Sequence, residues 1–114
     1  MTNIIKNEAD LDKQLAAGAS VFILFYSQWC PYCIAFLPSY EKRAKAAPDS
    51  FLRVCIDDMP DAEDKYAIDV VPTVLSFRKG KVDKRLDGKL GAGLTETHLS
   101  AFIISCGFPD KNKL

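Results

Sequence analysis

The sequence predicts one α/β domain, residues 1–114, in which helices cover both faces of a central mixed sheet of four to five strands. The length of 114 residues suits a single domain. Apolar segments rich in β-forming residues alternate with segments of helical spacing, an order typical of parallel strands joined by crossover helices. The last two strand-like segments follow each other directly and therefore predict an antiparallel hairpin. A sheet with both kinds of neighbour is mixed.

The chain begins with a short strand, a helix and a buried strand. Residues 3–6 are a candidate short strand. Residues 7–18 predict a helix that Asn7 caps and Gly18 ends, with acidic residues in its first turns. Residues 20–27, SVFILFYS, form a continuous apolar run, which indicates a strand covered on both faces.

A second helix, a second strand and a short third helix follow. Residues 31–47 have helical spacing and contain Pro38, where we expect a kink. Residues 51–57, FLRVCID, predict a strand. Residues 61–68 predict a short acidic helix.

The last third of the chain predicts a hairpin and a closing helix. Residues 73–88 contain two strands separated by a turn at Lys79-Gly80. Residues 95–107 predict a helix with Thr95 as its cap and apolar residues on one side.

Charge and hydropathy exclude several classes of function. Fifteen basic residues balance fifteen acidic ones and are interspersed with them, so no field would gather nucleic acid or an anionic membrane. No run approaches the roughly 18 apolar residues of a membrane span. The first twenty residues carry acids where a signal peptide has its apolar core. We therefore expect a cytoplasmic protein without a nucleic-acid or membrane partner.

Two cysteines three positions apart, Cys30 and Cys33, lie where the first apolar strand meets the second helix. A sulfur at a helix N-terminus is stabilised as a thiolate by unpaired backbone N–H groups and by the helix dipole. Cys33 lies about one turn further along and faces back toward Cys30. This geometry predicts a nucleophile, Cys30, and a resolving thiol, Cys33, that exchange electrons with a partner disulfide. Pro31 suits a first helical turn.

Half of a zinc site is an alternative interpretation of the same pair. Structural zinc usually takes four protein ligands, and the remaining candidates are Cys55, His98 and Cys106. They form no second pair of closely spaced ligands. Cys55 and Cys106 fit small core residues, and His98 fits the surface of a helix. We therefore expect no metal and no cofactor, although a binding or metal module with incidental cysteines stays open.

Four segments in order resemble the thioredoxin family over nearly the whole chain. They are WCPYC, the proline eight residues after its first cysteine, VVPTVLSFRKGK, and LGAGLTETHLSAFI. The resemblance implies the thioredoxin fold, with a cis Val71–Pro72 bond beside Cys30. It also implies a thiol-disulfide oxidoreductase that acts on protein disulfides. The implied docking surface consists of Trp29, Pro31, Tyr32, Val71 and Pro72.

The resemblance also implies partners, namely oxidised proteins and an upstream reductase that recharges the thiol pair. We expect the protein to act as a monomer. The Pro-Tyr pair between the cysteines is of a type found in many glutaredoxins, which leaves a glutathione-linked reductase as an alternative. However, Ala92 separates the glycines of KLGAGLTE, and this spacing does not support a glutathione site.

Three positions depart from the family pattern. Leu24 stands where the family commonly has a buried aspartate that helps to move the proton of the second cysteine. Leucine cannot accept a proton, so Cys33 needs water or another group for this step. Arg53 lies where a lysine often pairs with that aspartate, and we expect it to reach solvent or an acid such as Asp57 or Asp58. Ile34 replaces a lysine that often follows the second cysteine.

Overall fold

The computed structural model describes residues 3–18 and 20–107. The elements in chain order are β1 (Asn3–Ile5), α1 (Glu8–Ala16), β2 (Val21–Tyr26), α2 (Pro31–Ala46), β3 (Phe51–Cys55), α3 (Pro60–Lys65), β4 (Thr73–Arg78), β5 (Lys81–Leu86) and α4 (Glu96–Ser105). Every predicted element is present, and the ends of some differ from the prediction by a few residues. Such differences are expected where helix and strand ends fray.

The strands form one sheet in the order β1-β3-β2-β4-β5. β1 and β2 each run parallel to β3, while β4 runs antiparallel to both β2 and β5. The mixed sheet predicted from the sequence is therefore confirmed. Lys79 and Gly80 join β4 to β5 with φ angles of 52° and 79°, the left-handed backbone that two-residue hairpin turns require.

Helices cover both faces of this sheet, as predicted. All six residues of β2 are buried, because alternate side chains point into two separate cores. The core that contains Leu24 includes residues of α2 and α4. The opposite core, around Ile23 and Phe25, includes residues of α1 and α3.

Tyr40 fixes α2 to the sheet. Its ring is fully buried, and its hydroxyl lies 3.0 Å from the carbonyl oxygen of Phe22 in β2 and 2.6 Å from that of Leu52 in β3. The helix continues through Pro38, and the kink expected there stays a prediction. Because α2 is held at Tyr40, its N-terminal turn has a defined position at the end of β2.

Side chains cap the first and last helices where the sequence predicts. The Asp10 amide donates to Asn7 Oδ1 at 2.8 Å. At α4, the His98 amide donates to Thr95 Oγ1, and the Thr95 amide donates to His98 Nδ1, both at 3.2 Å. His98 is exposed, as expected, but its role as the second half of a reciprocal cap was not predicted.

Candidate active site

The two cysteines lie at the junction of β2 and α2. Cys30 is the N-cap residue of α2, with extended backbone angles of −91° and 116°, and Pro31 occupies the first helical position. The Cys30 amide donates to the Ser27 carbonyl at 3.3 Å, and the Cys30 carbonyl accepts from the Ile34 amide at 3.1 Å. This arrangement places one sulfur at the helix end and the other about one turn inside it.

The environments of the two thiols differ. Cys30 is partly exposed, whereas Cys33 is only 3% exposed, and both are free thiols. Burial raises the pKa of Cys33 to about 12, and a hydrogen bond with Cys30 and the charge of Asp57 act in the same direction. A backbone hydrogen bond from Ser27 opposes this shift in the pKa. The accessible sulfur therefore belongs to Cys30, and the shielded, protonated sulfur belongs to Cys33.

The loop before β4 brings Val71 and Pro72 to Cys30. The Val71–Pro72 peptide bond is cis, which confirms the expectation from the resemblance. The Cys30 thiol donates to the Val71 carbonyl at a sulfur–oxygen distance of 3.6 Å. Gly88 packs against the same segment, since a Cβ at this position would lie 2.2 Å from the Pro72 carbonyl oxygen. Gly88, which the sequence reasoning did not single out, is thus the glycine in contact with Pro72.

Aromatic and apolar residues lie close to Cys30 in the sequence, and their side chains are exposed in the fold. Trp29 is 82% exposed, Ile34 is 60% exposed and Tyr32 is 42% exposed. The Tyr32 hydroxyl donates to the Gly91 carbonyl at 3.0 Å. Large apolar side chains that stay exposed are typical of surfaces that bind another protein.

The buried acid of the family pattern is replaced by a fully buried leucine. Leu24 is 0% exposed and belongs to the same core as Cys33. A cavity of about 300 Å³ lies beside Cys33, and its lining includes Ile34, Leu37 and Arg53. This cavity has room for water beside Cys33, but Leu24, at the position of the family's acid, is not among its lining residues.

Arg53 reaches an acid, as predicted, but this acid is Glu41 and not Asp57 or Asp58. The residue is 7% exposed, its guanidinium lies 5.2 Å from the centroid of the Tyr26 ring, and its Nη1 lies 4.0 Å from Glu41 Oε1. The reason is the register of β3: alternate residues point to the same face, so Arg53 shares with Phe51 the face that α2 covers. Its side chain thus runs beneath α2 instead of reaching solvent or Asp57 or Asp58.

Asp57 has a role at the site that the sequence reasoning missed. Its carboxylate accepts from the Ser27 hydroxyl at 3.0 and 3.3 Å, from the Gln28 amide at 3.2 Å and from the Cys55 thiol at 3.5 Å. The Ser27 hydroxyl oxygen in turn accepts from the Trp29 amide at 3.3 Å. Asp57 follows β3, and β3 lies next to β2 in the sheet. The predicted parallel pairing of these two strands was the signal that Asp57 would lie near the loop after β2. The carboxylate holds the loop that leads into Cys30.

The remaining cysteines lie in the core. Cys55 is 1% exposed and Cys106 is 7% exposed, which agrees with their predicted role as small core residues. Within residues 3–18 and 20–107, no group of three His, Cys, Asp or Glu side chains is arranged to hold a metal ion. In the same part of the chain, none of the helices combines the length and apolar character needed to span a bilayer.

Comparisons with known proteins agree with this geometry. The profile of the family described as "Thioredoxin" matches residues 2–104. The thioredoxin of Mycoplasmoides gallisepticum is 36% identical over 84 residues, which cover 72% of this chain and 84% of the relative. Thioredoxin-1 of Saccharomyces cerevisiae is 27% identical over 97 residues, which cover 84% of this chain and 94% of the relative.

Solved structures give the same result at the level of the fold. The X-ray structure of Fasciola hepatica thioredoxin superposes with a TM-score of 0.79 and 29% identity, and the match covers 91% of this chain and 98% of that one. The similarity thus extends over the sheet, the helices and the junction that carries the two cysteines. The protein is a thiol-disulfide oxidoreductase, and the chain belongs to the thioredoxin family.

Proposed function

We propose that Cys30 is the nucleophile and Cys33 the resolving thiol in the reduction of protein disulfides. The observation that carries this proposal is the difference between the two sulfurs, one partly exposed at a helix N-terminus and the other 3% exposed within hydrogen-bond reach of it. A large disulfide partner can reach Cys30 but not Cys33. The order of attack follows from this difference in access.

In the first step, the Cys30 thiolate attacks one sulfur of the partner disulfide. The partner's sulfur–sulfur bond breaks, its other sulfur leaves and takes up a proton, and a mixed disulfide joins Cys30 to the partner. Cys33 then loses its proton and attacks Cys30 Sγ. The Cys30–Cys33 disulfide forms, and the second partner sulfur is released as a thiol. The partner gains two electrons and two protons, and the thiol pair loses them.

Trp29, Pro31, Tyr32, Val71 and Pro72 form the proposed docking surface for the substrate. Exposed aromatic groups at Trp29 and Tyr32 support it, since such groups bury much apolar area on binding. Val71 supports it because its carbonyl lies beside the reacting sulfur. An extended substrate segment that runs past Val71 would place a disulfide over Cys30.

The proposal includes a cellular setting. Each turnover leaves an oxidised thiol pair, so an upstream reductase has to recharge it. A cytoplasmic location fits, because that compartment keeps thiols reduced. The protein acts as a single-domain monomer, since one chain carries both sulfurs that the reaction needs. The two residues between the cysteines are Pro-Tyr, as in many glutaredoxins. They make this thiol pair a weaker reductant than a thiol pair with Gly-Pro between its cysteines.

Replacement of the resolving thiol tests the assignment of roles. We expect Cys33→Ser to accumulate a covalent complex with an oxidised protein through Cys30, because no second sulfur can displace the partner. Mass spectrometry of the protein incubated with oxidised insulin measures the complex. Cys106→Ser is the matched control, since Cys106 is also buried but lies outside the motif, and it should release reduced insulin as the wild type does. Failure of Cys33→Ser to retain insulin, under conditions where the wild type reduces it, would contradict the proposal.

A further inference from the structure

Arg53 is a buried cation whose hydrogen-bonding capacity is not fully used by its neighbours. Its side chain is 8% exposed, and its Nη1 lies 4.0 Å from Glu41 Oε1, which is longer than a hydrogen bond. Its Nε makes no hydrogen bond to any residue that the structure describes. A guanidinium carries five N–H donors, and leaving such donors unpaired in a protein interior is costly. The residue therefore has the capacity to bind a further acceptor.

The cavity beside Cys33 has the size and the lining for such an acceptor. Its volume is about 300 Å³, and both Arg53 and Cys33 line it. Ile4, Ile34 and Leu37 add apolar walls, and the cavity is open to solvent. A carboxylate can pair both of its oxygens with a guanidinium, and a short apolar group attached to it would pack on these walls. The lining thus suits a small carboxylate that carries a short apolar group.

Two acids lie near the cavity, but neither is among the described residues that line it. Asp57 is engaged by the Ser27 hydroxyl, the Gln28 amide and the Cys55 thiol. Glu41 lies beside Arg53. Their negative charges oppose the entry of another anion, so a carboxylate in the cavity would be held weakly and would exchange with solvent. We expect half-saturation at millimolar concentrations.

We propose that Arg53 and this cavity form a binding site for a small carboxylate, and that the bound carboxylate accepts the proton of Cys33 in the resolving step. This inference rests on the proposed function. The sulfur–hydrogen bond of Cys33 breaks and an oxygen–hydrogen bond forms on the carboxylate while Cys33 Sγ attacks Cys30 Sγ. The neutral acid then leaves the cavity and gives the proton to solvent. In a solution without carboxylates, we expect water to take the proton at a lower rate.

Single-turnover kinetics with dipyridyl disulfide isolate the resolving step. The reduced protein releases a first thiopyridone when Cys30 attacks and a second when Cys33 resolves the mixed disulfide, and the reagent contains no carboxylate. Stopped-flow absorbance gives the first-order rate constant of the second release, near neutral pH and at constant ionic strength. We expect sodium acetate to raise this rate constant by about tenfold at saturation, a modest effect for general base catalysis.

Acetamide and sodium chloride are the matched controls for acetate. Acetamide has nearly the shape of acetate without its charge or basicity, and chloride is an anion that does not act as a base at neutral pH. Each should change the rate constant by less than about twofold, because neither takes the proton. Equal acceleration by acetamide would overturn the inference. A linear dependence on acetate without saturation would also overturn it, because acetate would then act from bulk solvent.

Replacement of Arg53 tests the site itself, with each variant compared with its own rate constant in the absence of acetate. Arg53→Gln should lose the saturable acceleration. Arg53→Lys keeps the charge but loses the planar fork, so its half-saturation concentration should rise about threefold to tenfold, and it serves where Arg53→Gln does not fold. Arg43→Gln is the matched control, since Arg43 is also buried but contacts Ser100 and is not among the described lining residues. It should keep the full acceleration, and full acceleration in both Arg53 variants would overturn the inference.

Binding is also measured without turnover. In nitrogen–proton correlation NMR of the reduced protein, the amide shifts of Cys33 and Arg53 should move with acetate and saturate at the concentration found by kinetics, and chloride should not reproduce the change. A wild type that reduces no insulin would overturn the proposed function. A wild type that reduces insulin, with a resolving rate constant that does not respond to acetate, would overturn this inference alone.

Discussion

Cys33 retains its proton more firmly than an ordinary cysteine, because burial of its side chain raises the pKa to about 12. The proposed resolving step needs the thiolate of this residue. Leu24, in the same core, provides no proton acceptor. We therefore expect the proton to pass to water, for which the cavity beside Cys33 has room.

We expect this proton loss to limit the resolving step near neutral pH. The attacking thiolate is the minor form well below its pKa, so the rate constant for decay of the mixed disulfide should rise about tenfold per pH unit between about pH 6 and 8.

Leu24→Asp should increase the rate constant at about pH 7 by about tenfold or more, and it should flatten the pH profile, because a carboxylate can accept the proton. Arg53, the register partner of Leu24 on β3, offers a counter-charge for the new acid.

Leu24→Asn is the control for this substitution. It has nearly the same shape and destabilises the core in a similar way, but it cannot accept a proton. Stopped-flow measurement of mixed-disulfide decay in the three proteins separates the two effects. Equal rate constants in Leu24→Asp and wild type, with Leu24→Asp still folded, would show that another group already removes the proton.

At the scale of elements, the position of the site depends on how α2 is attached to the sheet. The helix carries Cys33 in its first turn, and Tyr40 further along attaches it to β2 and β3 through the two carbonyls near its hydroxyl. The Tyr40 ring also contacts Phe36 and Phe51, at centroid distances of 6.3 and 5.7 Å. A side chain in the middle of the helix thus helps to place its N-terminal turn.

Tyr40→Phe should lower the free energy of unfolding by about 1–3 kcal/mol, the usual cost when a buried polar group loses its partner. Urea denaturation followed by circular dichroism measures this change. Tyr32→Phe removes a hydroxyl whose partner, the Gly91 carbonyl, is exposed to water, so it should cost about 1 kcal/mol or less. Equal losses in the two variants would show that the Tyr40 hydroxyl contributes no more than an exposed one.

At the scale of the whole molecule, three distant segments meet at the active site. Cys30 follows β2, Val71 and Pro72 precede β4, and Gly88 follows β5. β4 lies between β2 and β5 in the sheet. The strand order therefore brings the loop before β4 and the loop after β5 to the end of the sheet where the cysteines lie.

Local patterns in the sequence were sufficient to predict the helices, the strands and the cysteine pair. Asn7, Thr95 and the Lys79-Gly80 turn act through neighbours in the chain, so their roles could be predicted from spacing. The contact of Val71 with Cys30 was expected only through the family resemblance.

Other features depend on packing between distant segments. The sequence did not indicate Glu41 as the acid that Arg53 reaches, because the helix that covers Arg53 is not visible in the local pattern of β3. The roles of Asp57, Gly88 and the contact between Tyr32 and Gly91 were missed for the same reason, since each joins segments that are far apart in the sequence.

Gly88 tests whether the close approach of these segments matters. A Cβ at Gly88 would lie 2.2 Å from the Pro72 carbonyl oxygen, a distance at which the backbone has to move. We expect Gly88→Ala to lower the free energy of unfolding by about 2 kcal/mol or more, as overpacking does. It should also slow reduction of both insulin and bis(2-hydroxyethyl) disulfide, because the segment that contacts Cys30 is displaced.

Gly18→Ala is the matched control for this variant. Gly18 has a φ of +76° and no neighbouring atom within 4 Å of an added Cβ, so alanine there introduces only backbone strain of about 1–2 kcal/mol. It lies at the end of α1, away from the three segments, and should leave both reduction rates unchanged. Thermal unfolding together with the two rate constants distinguishes the variants. Wild-type rates in a destabilised Gly88→Ala protein would mean that contact between Gly88 and Pro72 maintains the fold without positioning the reacting sulfur.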